Sequence, residues 1–415
     1  MRLCALMFAA GLALAARPHA SGGQALPGSD VPFEQKMAWI LSLEDRRILD
    51  DPTLLPPPPP ETEETRRNAR RSRRDEPVIV RPARPDLVDM LQDGEARVRR
   101  RAALAIGRVG LAAPTPQLSR LMLSTDDPEV RQMAAFALGL IGEKTPVEAL
   151  RKALADSSPL VQGRAAEALG NIGDAGSATA IAALAAARMK DGEVLGLNPD
   201  DLGYPLKPEV EAFRLAIYAL TRLKAWDALA SVVLLPGSNP PEPALRWWPA
   251  AYALSRIEDQ RAAPALLTLA RTGGSYTKAF AARGLGTLKH VPAVPLLTLM
   301  AESADRDPRA AVMAIRALGQ IGSADALPTL RTLATNRGLD PNLRLEVISA
   351  IAALRDRDSY DLLLDLLADP WPAMRVAALR GVQAVDPDGF PLILSGLTPD
   401  PHPSVRSAIA GLVEP

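Results

Sequence analysis

The sequence predicts an all-α solenoid of about ten helix–turn–helix units. Three observations lead there. First, Asp127–Gly142 reads as one helix with its punctuation. Asp127 is suited to cap it, Pro128 takes the first helical position, and Gly142 stands where helices end in a left-handed residue. Between them Val130, Ala134, Leu138 and Ile141 recur at helical spacing. Second, the stretch repeats. Aligned on Leu138, the equivalents are Ile106, Leu169, Leu220, Leu254, Leu285, Leu318, Ile351, Val382 and Val413, 31 to 34 residues apart except for one gap of 51. Third, the chain is 47% hydrophobic but only 4% aromatic, so its apolar mass is mostly Ala and Leu, which let helices approach closely. Each unit also carries an earlier, shorter helix, as at 146–154, 262–270 and 326–334. Such a unit buries its apolar face only by stacking on neighbours.

The elements before the repeats follow in order. Residues 1–20 have the form of a secretory signal: Arg2, an apolar run from Leu3 to Ala16, and the small-x-small site Ala13-Leu14-Ala15. The run is short for a permanent span. Export to the periplasm or beyond is expected, with cleavage near residues 15–20. Cys4, the only cysteine, lies inside this segment, so the mature chain is expected to have no thiol for a disulfide, a metal or a nucleophile. Residues 21–32 read as a Gly/Pro-rich linker. Residues 33–55 read as an N-terminal capping helix, with Met37, Ile40, Leu41 and Leu43 as the buried stripe over Phe33–Leu49. A partly polar end unit of this kind closes a solenoid.

Residues 56–84 open with five prolines and continue into an Arg-rich arm, Arg66–Arg84, too polar to bury a core; a disordered linker is expected. The arm suits weak contact with a membrane surface or a polyanion. Its neighbours Glu61, Glu63, Glu64, Asp75 and Glu76 favour the plainer reading of a solvated linker. The solenoid occupies 85–415, with an insertion at about 189–208 inside its fourth unit.

Val130-Arg131 followed by Ala134-Ala135-Phe136-Ala137-Leu138-Gly139-Leu140-Ile141-Gly142 resembles the second helix of a HEAT repeat. More narrowly, it is similar to the short HEAT-like repeat named from phycobilisome lyases. Ala105–Gly110, Ala168–Gly173 and Ala317–Gly322 repeat the match. The fourth, fifth and eighth units depart from it, lacking the Leu-Gly pair, the Arg, or both. The resemblance implies a right-handed superhelix with the second helices lining its concave face, and a binding scaffold rather than an enzyme. It also implies that Asp93/Arg99, Asp369/Arg375 and Asp400/Arg406, each six residues apart, join units at the turns. Their recurrence at the repeat period argues against an acid–base site.

On that concave face the resemblance places the variable residue between Ala-Ala and Ala-Leu, with those four before and four after. The candidate partner-binding residues are Phe136 in the second unit and Arg214, Tyr218 and Arg222 in the fourth. Trp248, Tyr252 and Arg256 follow in the fifth, then Arg283 and Arg316 in the sixth and seventh. Trp and Tyr offer large contact area and Arg fixed donors, the usual anchors of interfaces. The alternative is that Trp248 and Tyr252 pack under the insertion. Trp247, in the place of the repeat's Arg, reads as core. In the insertion, Leu197, Leu202 and Tyr204 have no place in the repeat core and are candidate partner contacts; the alternatives are that the insertion folds back on the solenoid or is disordered.

Catalytic signatures are missing from the sequence. A mature chain carries only His290 and His402 and no His-Glu pair, whereas HEAT-like iron hydroxylases need several. No Gly-rich phosphate loop with its Lys and no Gly-x-Ser-x-Gly elbow occurs. No catalytic residue, cofactor or metal is assigned. The formal net charge of zero gives no long-range pull towards nucleic acid. The resemblance implies a protein or peptide partner, and a monomer with no transmembrane segment after signal removal is expected. The alternative function is an accessory module of an exported enzyme system. Bacterial exported proteins resembling this one at Leu43-Glu44-Asp45-Arg46-Arg47 and in the repeat continue into a cyclophilin-type prolyl isomerase.

Overall fold

The structure is a computed structural model that describes residues 31–51, 85–190, 192–397 and 399–413. The expected signal, nearly all of the 21–32 linker, Cys4 and the Arg66–Arg84 arm lie outside the described residues. Within them the fold is all α, and no strand extends beyond two isolated bridges.

Helix α1 spans Phe33–Asp45, and ten units follow. The first pairs a 3₁₀ turn, Asp89–Gln92, with α2 (Ala96–Val109). Next come α3 (Thr115–Ser124) with α4 (Pro128–Ile141), and α5 (Val147–Ala153) with α6 (Pro159–Ile172). The fourth unit joins α7 (Ala178–Lys190) to α8 (Pro208–Arg222), and the fifth joins α9 (Trp226–Val233) to α10 (Trp248–Ile257). The array continues with α11 (Ala263–Thr272) and α12 (Ser275–Thr287), then α13 (Val294–Glu302) and α14 (Pro308–Ile321). It closes with α15 (Leu327–Thr335) and α16 (Pro341–Leu354), α17 (Tyr360–Asp365) and α18 (Pro372–Val385), and α19 (Phe390–Gly396) and α20 (Pro403–Val413). The ten aligned apolar positions fall on the ten second helices, and Ile106, Leu138, Leu169, Leu220, Leu285, Leu318, Ile351 and Val382 are fully buried.

The Leu-Gly pair sets how closely second helices stack. A Cβ added to Gly139 would stand 2.7 Å from the Ala168 Cα of the next unit. Gly107 meets Ala137 in the same way, Gly170 meets Ala219, Gly286 meets Ala317 and Gly319 meets Ala350. Each crossing sets a missing side chain against a methyl group, so the helix backbones come nearly into contact. First helices of neighbouring units meet far less. With one layer tight and the other splayed, the array curves with the second helices on its inner side. In α8 the glycine's place is taken by Thr221, whose hydroxyl donates to the Ile217 carbonyl at 2.8 Å. There α8 and α10 pack much less closely than the consecutive second helices on either side of them.

The turns are tied by arginine, but not within the pairs the six-residue spacing suggests. Arg375 donates to the backbone carbonyl of Asp369 at 2.8 Å, and Arg406 to that of Asp400 at 2.8 Å. Arg99 likewise reaches the Asp93 carbonyl at 2.7 Å. The carboxylates are free to serve the preceding unit: Arg375 binds Asp400 through two bonds of 2.7 and 2.8 Å, Arg344 binds Asp369 at 3.1 Å, and Arg131 binds Asp156 twice at 2.8 Å. One guanidinium therefore fastens its own turn and the next, using the fixed fork of donors that suits Arg.

The capping helix ends at Asp45, short of the expected residue 55. Its buried residues are Lys36, Trp39, Ile40 and Leu43; Leu41, expected in the stripe, is exposed. Lys36 reaches Asp93 at 2.8 Å with both side chains buried, so it fills the place an arginine of a preceding unit would hold. Leu87 donates to the Leu49 carbonyl at 2.8 Å, tying the chain after α1 to the start of the first unit.

Two predictions follow from this packing. Gly139→Val forces α4 and α6 apart and is expected to lower stability by about 1–3 kcal/mol, read as a drop in urea midpoint. Stability also depends on acid. Hydrogen bonds from Arg375 hold Asp400 below its ordinary 3.8, and those from Arg316 hold Glu346 below 4.5. The unfolded chain takes up these protons more readily, so their contribution is complete above the ordinary values and is lost as pH falls through the lowered ones. The urea midpoint is expected to be flat above about pH 5 and to fall towards about pH 3, less steeply in Arg375→Gln.

Candidate functional site

Side chains on the inner face of α8, α10 and α12 form one aromatic ladder. The rings of Tyr218 and Tyr252 lie 5.0 Å apart across the loose α8–α10 junction. Tyr252 meets the Phe280 ring edge-on at 5.3 Å, Phe280 stacks on Trp248 at 5.6 Å, and Tyr276 lies 6.5 Å from Trp248. All five are half-buried. Beneath them Phe213 and Trp247, both buried, fill the gap left by the missing Gly–Ala crossing. The core reading of Trp247 matches its 1% exposure. Burial pushes the Tyr218 phenol up to about 12, against the opposing pull of Arg214.

The insertion between α7 and α8 is a strap that runs past Trp248 at the start of α10 to the start of α12. The backbone N–H of Trp248 donates to the Pro199 carbonyl at 2.9 Å, and its indole N–H donates to the Asp201 carbonyl at 2.8 Å. The Asp200 carboxylate accepts from the N–H groups of Ser275 and Tyr276 at 2.6 and 2.9 Å. It thus caps α12, two units away, and a side chain at Gly274 would collide with it. Thr277, fully buried, donates to the Arg246 carbonyl at 2.8 Å. Within the strap Val194 is buried and Leu197 packs half-buried against the core, while Leu202 is 54% and Tyr204 94% exposed. Of the strap candidates, only Leu202 and Tyr204 stand open to a partner.

Trp248 does pack under the strap; Tyr252 packs on Tyr218 and Phe280 instead. Phe136 is half-buried two units before the ladder, with the Arg164 guanidinium 5.0 Å from its ring. Arg214 is held by Glu211 at 2.6 and 2.8 Å, and Arg316 by Glu346 at 2.8 Å. Arg222 meets only the neutral amide oxygen of Asn171. Among the described residues, the guanidinium groups of Arg256 and Arg283 have no hydrogen-bond or ion-pair partner. Three members of the surface escape a reading confined to the repeat's variable position. Tyr276 and Phe280 lie seven and three residues before Arg283, which puts them on its face, and Arg309 sits 3.8 Å over the Tyr276 ring. The aromatic spacing in Ser275–Arg283 carried that signal. Asp200 had none, because its partner is 75 residues away.

Among the described residues no group of three His, Cys, Asp or Glu side chains could hold a metal ion, and no helix is long and apolar enough to cross a membrane. The surface offers ring edges, apolar carbon and guanidinium donors.

The chain belongs to the HEAT-repeat family. The family profile, described as HEAT repeats, matches residues 63–132, 115–195, 275–338 and 294–384, together more than half of the chain. The stretch between the matches, 196–274, holds most of the strap, α8 with Thr221, and the fifth unit with Trp247. No curated protein matches the chain. Among solved structures, the complex of CpcE and CpcF of phycocyanin lyase from Nostoc sp. PCC7120 is similar at 18% identity over 65% of this chain and 93% of that one, with a TM-score of 0.36. A Kap95:Nup1 complex is similar at 14% identity over 79% of this chain and 50% of that one, with a TM-score of 0.52. The second likeness supports the α-solenoid fold.

Asp200→Ala removes the cap on α12 and frees the strap. It is expected to cost about 1 kcal/mol in urea unfolding. Limited proteolysis is expected to cut within 192–207 sooner than in the parent protein.

Proposed function

We propose that this protein is a non-catalytic scaffold that binds a protein or peptide on the inner face of its fourth to sixth units, in an extracytoplasmic compartment. One observation carries the reading: the half-buried ladder Tyr218–Tyr252–Phe280–Trp248–Tyr276 lies open on the inner face and is flanked by Arg256 and Arg283, which have no partner among the described residues. Stacking accounts for Tyr218 and Tyr252 in the α8–α10 seam, but not for Arg256 and Arg283 left beside them without partners among the described residues. Aromatic rings and guanidinium groups clustered at the middle of a curved surface are the residue types that dominate binding energy at interfaces. The exposed Leu202 and Tyr204 on the strap extend the surface beside Trp248. The signal-like start at Arg2–Ala16 supports the compartment.

The test uses three immobilised proteins: the parent, Tyr252→Ala with Arg256→Ala, and a form lacking residues 189–208. Each captures partners from a periplasmic extract, which mass spectrometry then identifies. The double substitution is expected to reduce recovery of the parent's partners roughly tenfold, as a hot-spot loss of about 1.4 kcal/mol or more requires, with helical circular dichroism unchanged. The same partners at the same yield would remove the inner face from consideration.

A further inference from the structure

We infer that the occupant of this face is an acidic peptide segment carrying apolar side chains. The inference rests on the preceding reading that the inner face binds a protein, and adds the chemistry of what it binds. The evidence is a local charge imbalance in a chain whose formal net charge is zero. The inner face of α8, α10, α12 and α14 presents Arg214, Arg222, Arg256, Arg283, Arg309 and Arg316. Two are neutralised, Arg214 by Glu211 and Arg316 by Glu346. The other four have no carboxylate partner among the described residues: Arg222 meets an amide, Arg309 a serine hydroxyl at 3.4 Å, and Arg256 and Arg283 meet neither hydroxyl nor amide. The acids of this face are already committed, so the free guanidinium groups call for carboxylates from outside.

The arrangement of the rings decides between a peptide and a nucleic acid, the other polyanion that takes Arg and aromatics together. Base stacking needs open ring faces. Here each ring already has a face or an edge engaged within the protein. Arg309 covers Tyr276 and Arg214 covers Tyr218. Phe280 stacks on Trp248 and meets Tyr252 edge-on. What remains outward is ring edge and half-buried carbon, which suits Leu, Phe or Met side chains, together with guanidinium N–H groups spread over α8, α10, α12 and α14. Packed helices stand about 9 Å apart. An extended peptide covers that distance in roughly three residues. Carboxylates recurring at about every third residue would therefore meet successive units.

The probe is a random-peptide phage library selected on the immobilised full chain. Selected peptides are expected to be rich in Asp and Glu, with interspersed Leu, Phe or Met. Their affinity is expected to fall roughly tenfold between 0.1 M and 1 M salt, as the screening length drops from about 10 to about 3 Å. R256E/R283E is expected to abolish their binding, and R256Q/R283Q to weaken it part-way, with both variants keeping the parent's helical content. Enrichment of neutral or basic peptides that still require Tyr252 would overturn the acidic class while leaving the inner-face reading intact. Peptides indifferent to Tyr252→Ala with Arg256→Ala would overturn both. Binding of mixed-sequence single-stranded DNA at Arg256 and Arg283, with no peptide enriched, would also overturn the inference.

Discussion

The structure depends on a glycine of one second helix lying against an alanine of the next. At Gly139 and Ala168 there is no room for one more methyl group. That contact fixes the spacing of units, brings the buried Leu layer into register, and makes the inner side of the array tighter than the outer. The arginine fastenings at the turns are secondary. They join units whose distance the glycine has already set, and because these ion pairs are largely buried, desolvation offsets much of their attraction. The residue that specifies the architecture most strongly is therefore one with no side chain.

Where that contact fails, other chemistry takes over. Thr221 stands in the glycine's place at the loose α8–α10 junction, and the ring pairs Phe213–Trp247 and Tyr218–Tyr252 bridge the seam. Large rings in a seam between two curved layers cannot be wholly covered, so part of the filling faces the groove. The strap then fixes Trp248 by two hydrogen bonds and α12 by a cap. In the proposed reading, packing and recognition draw on the same side chains. A ring such as Tyr252 is at once a wedge between units and an element of the surface.

The periodic part of this architecture was legible in the sequence because each unit repeats the same local demands. Leu138 and its equivalents, the Leu-Gly pair and the capping residues all act within one unit or between neighbours. The departures at Thr221 and Trp247 were legible as breaks in the pattern, and they mark the aromatic surface. What escaped acts at long range or against the period. Asp200 caps a helix two units away, and no spacing predicts such a contact. Asp400 follows a six-residue rule with Arg406, yet its carboxylate serves Arg375, since the nearer Arg takes the backbone carbonyl instead. Leu41 looked apolar enough for the stripe, but Lys36 lies on the buried side, where Asp93 needs a cation. Burial there follows an ion pair rather than hydropathy.

The strap has a mechanical consequence. A solenoid is a spring whose compliance is shared among its unit junctions. The strap runs from α7 past α10 to α12 and is pinned at each, so it splints the junctions on either side of the fifth unit. Flexing is left to the two flanking arms. In the proposed reading, a ligand seated over the splinted section does no work against the spring while the arms bend. Its affinity should be insensitive to tension on the ends of the molecule.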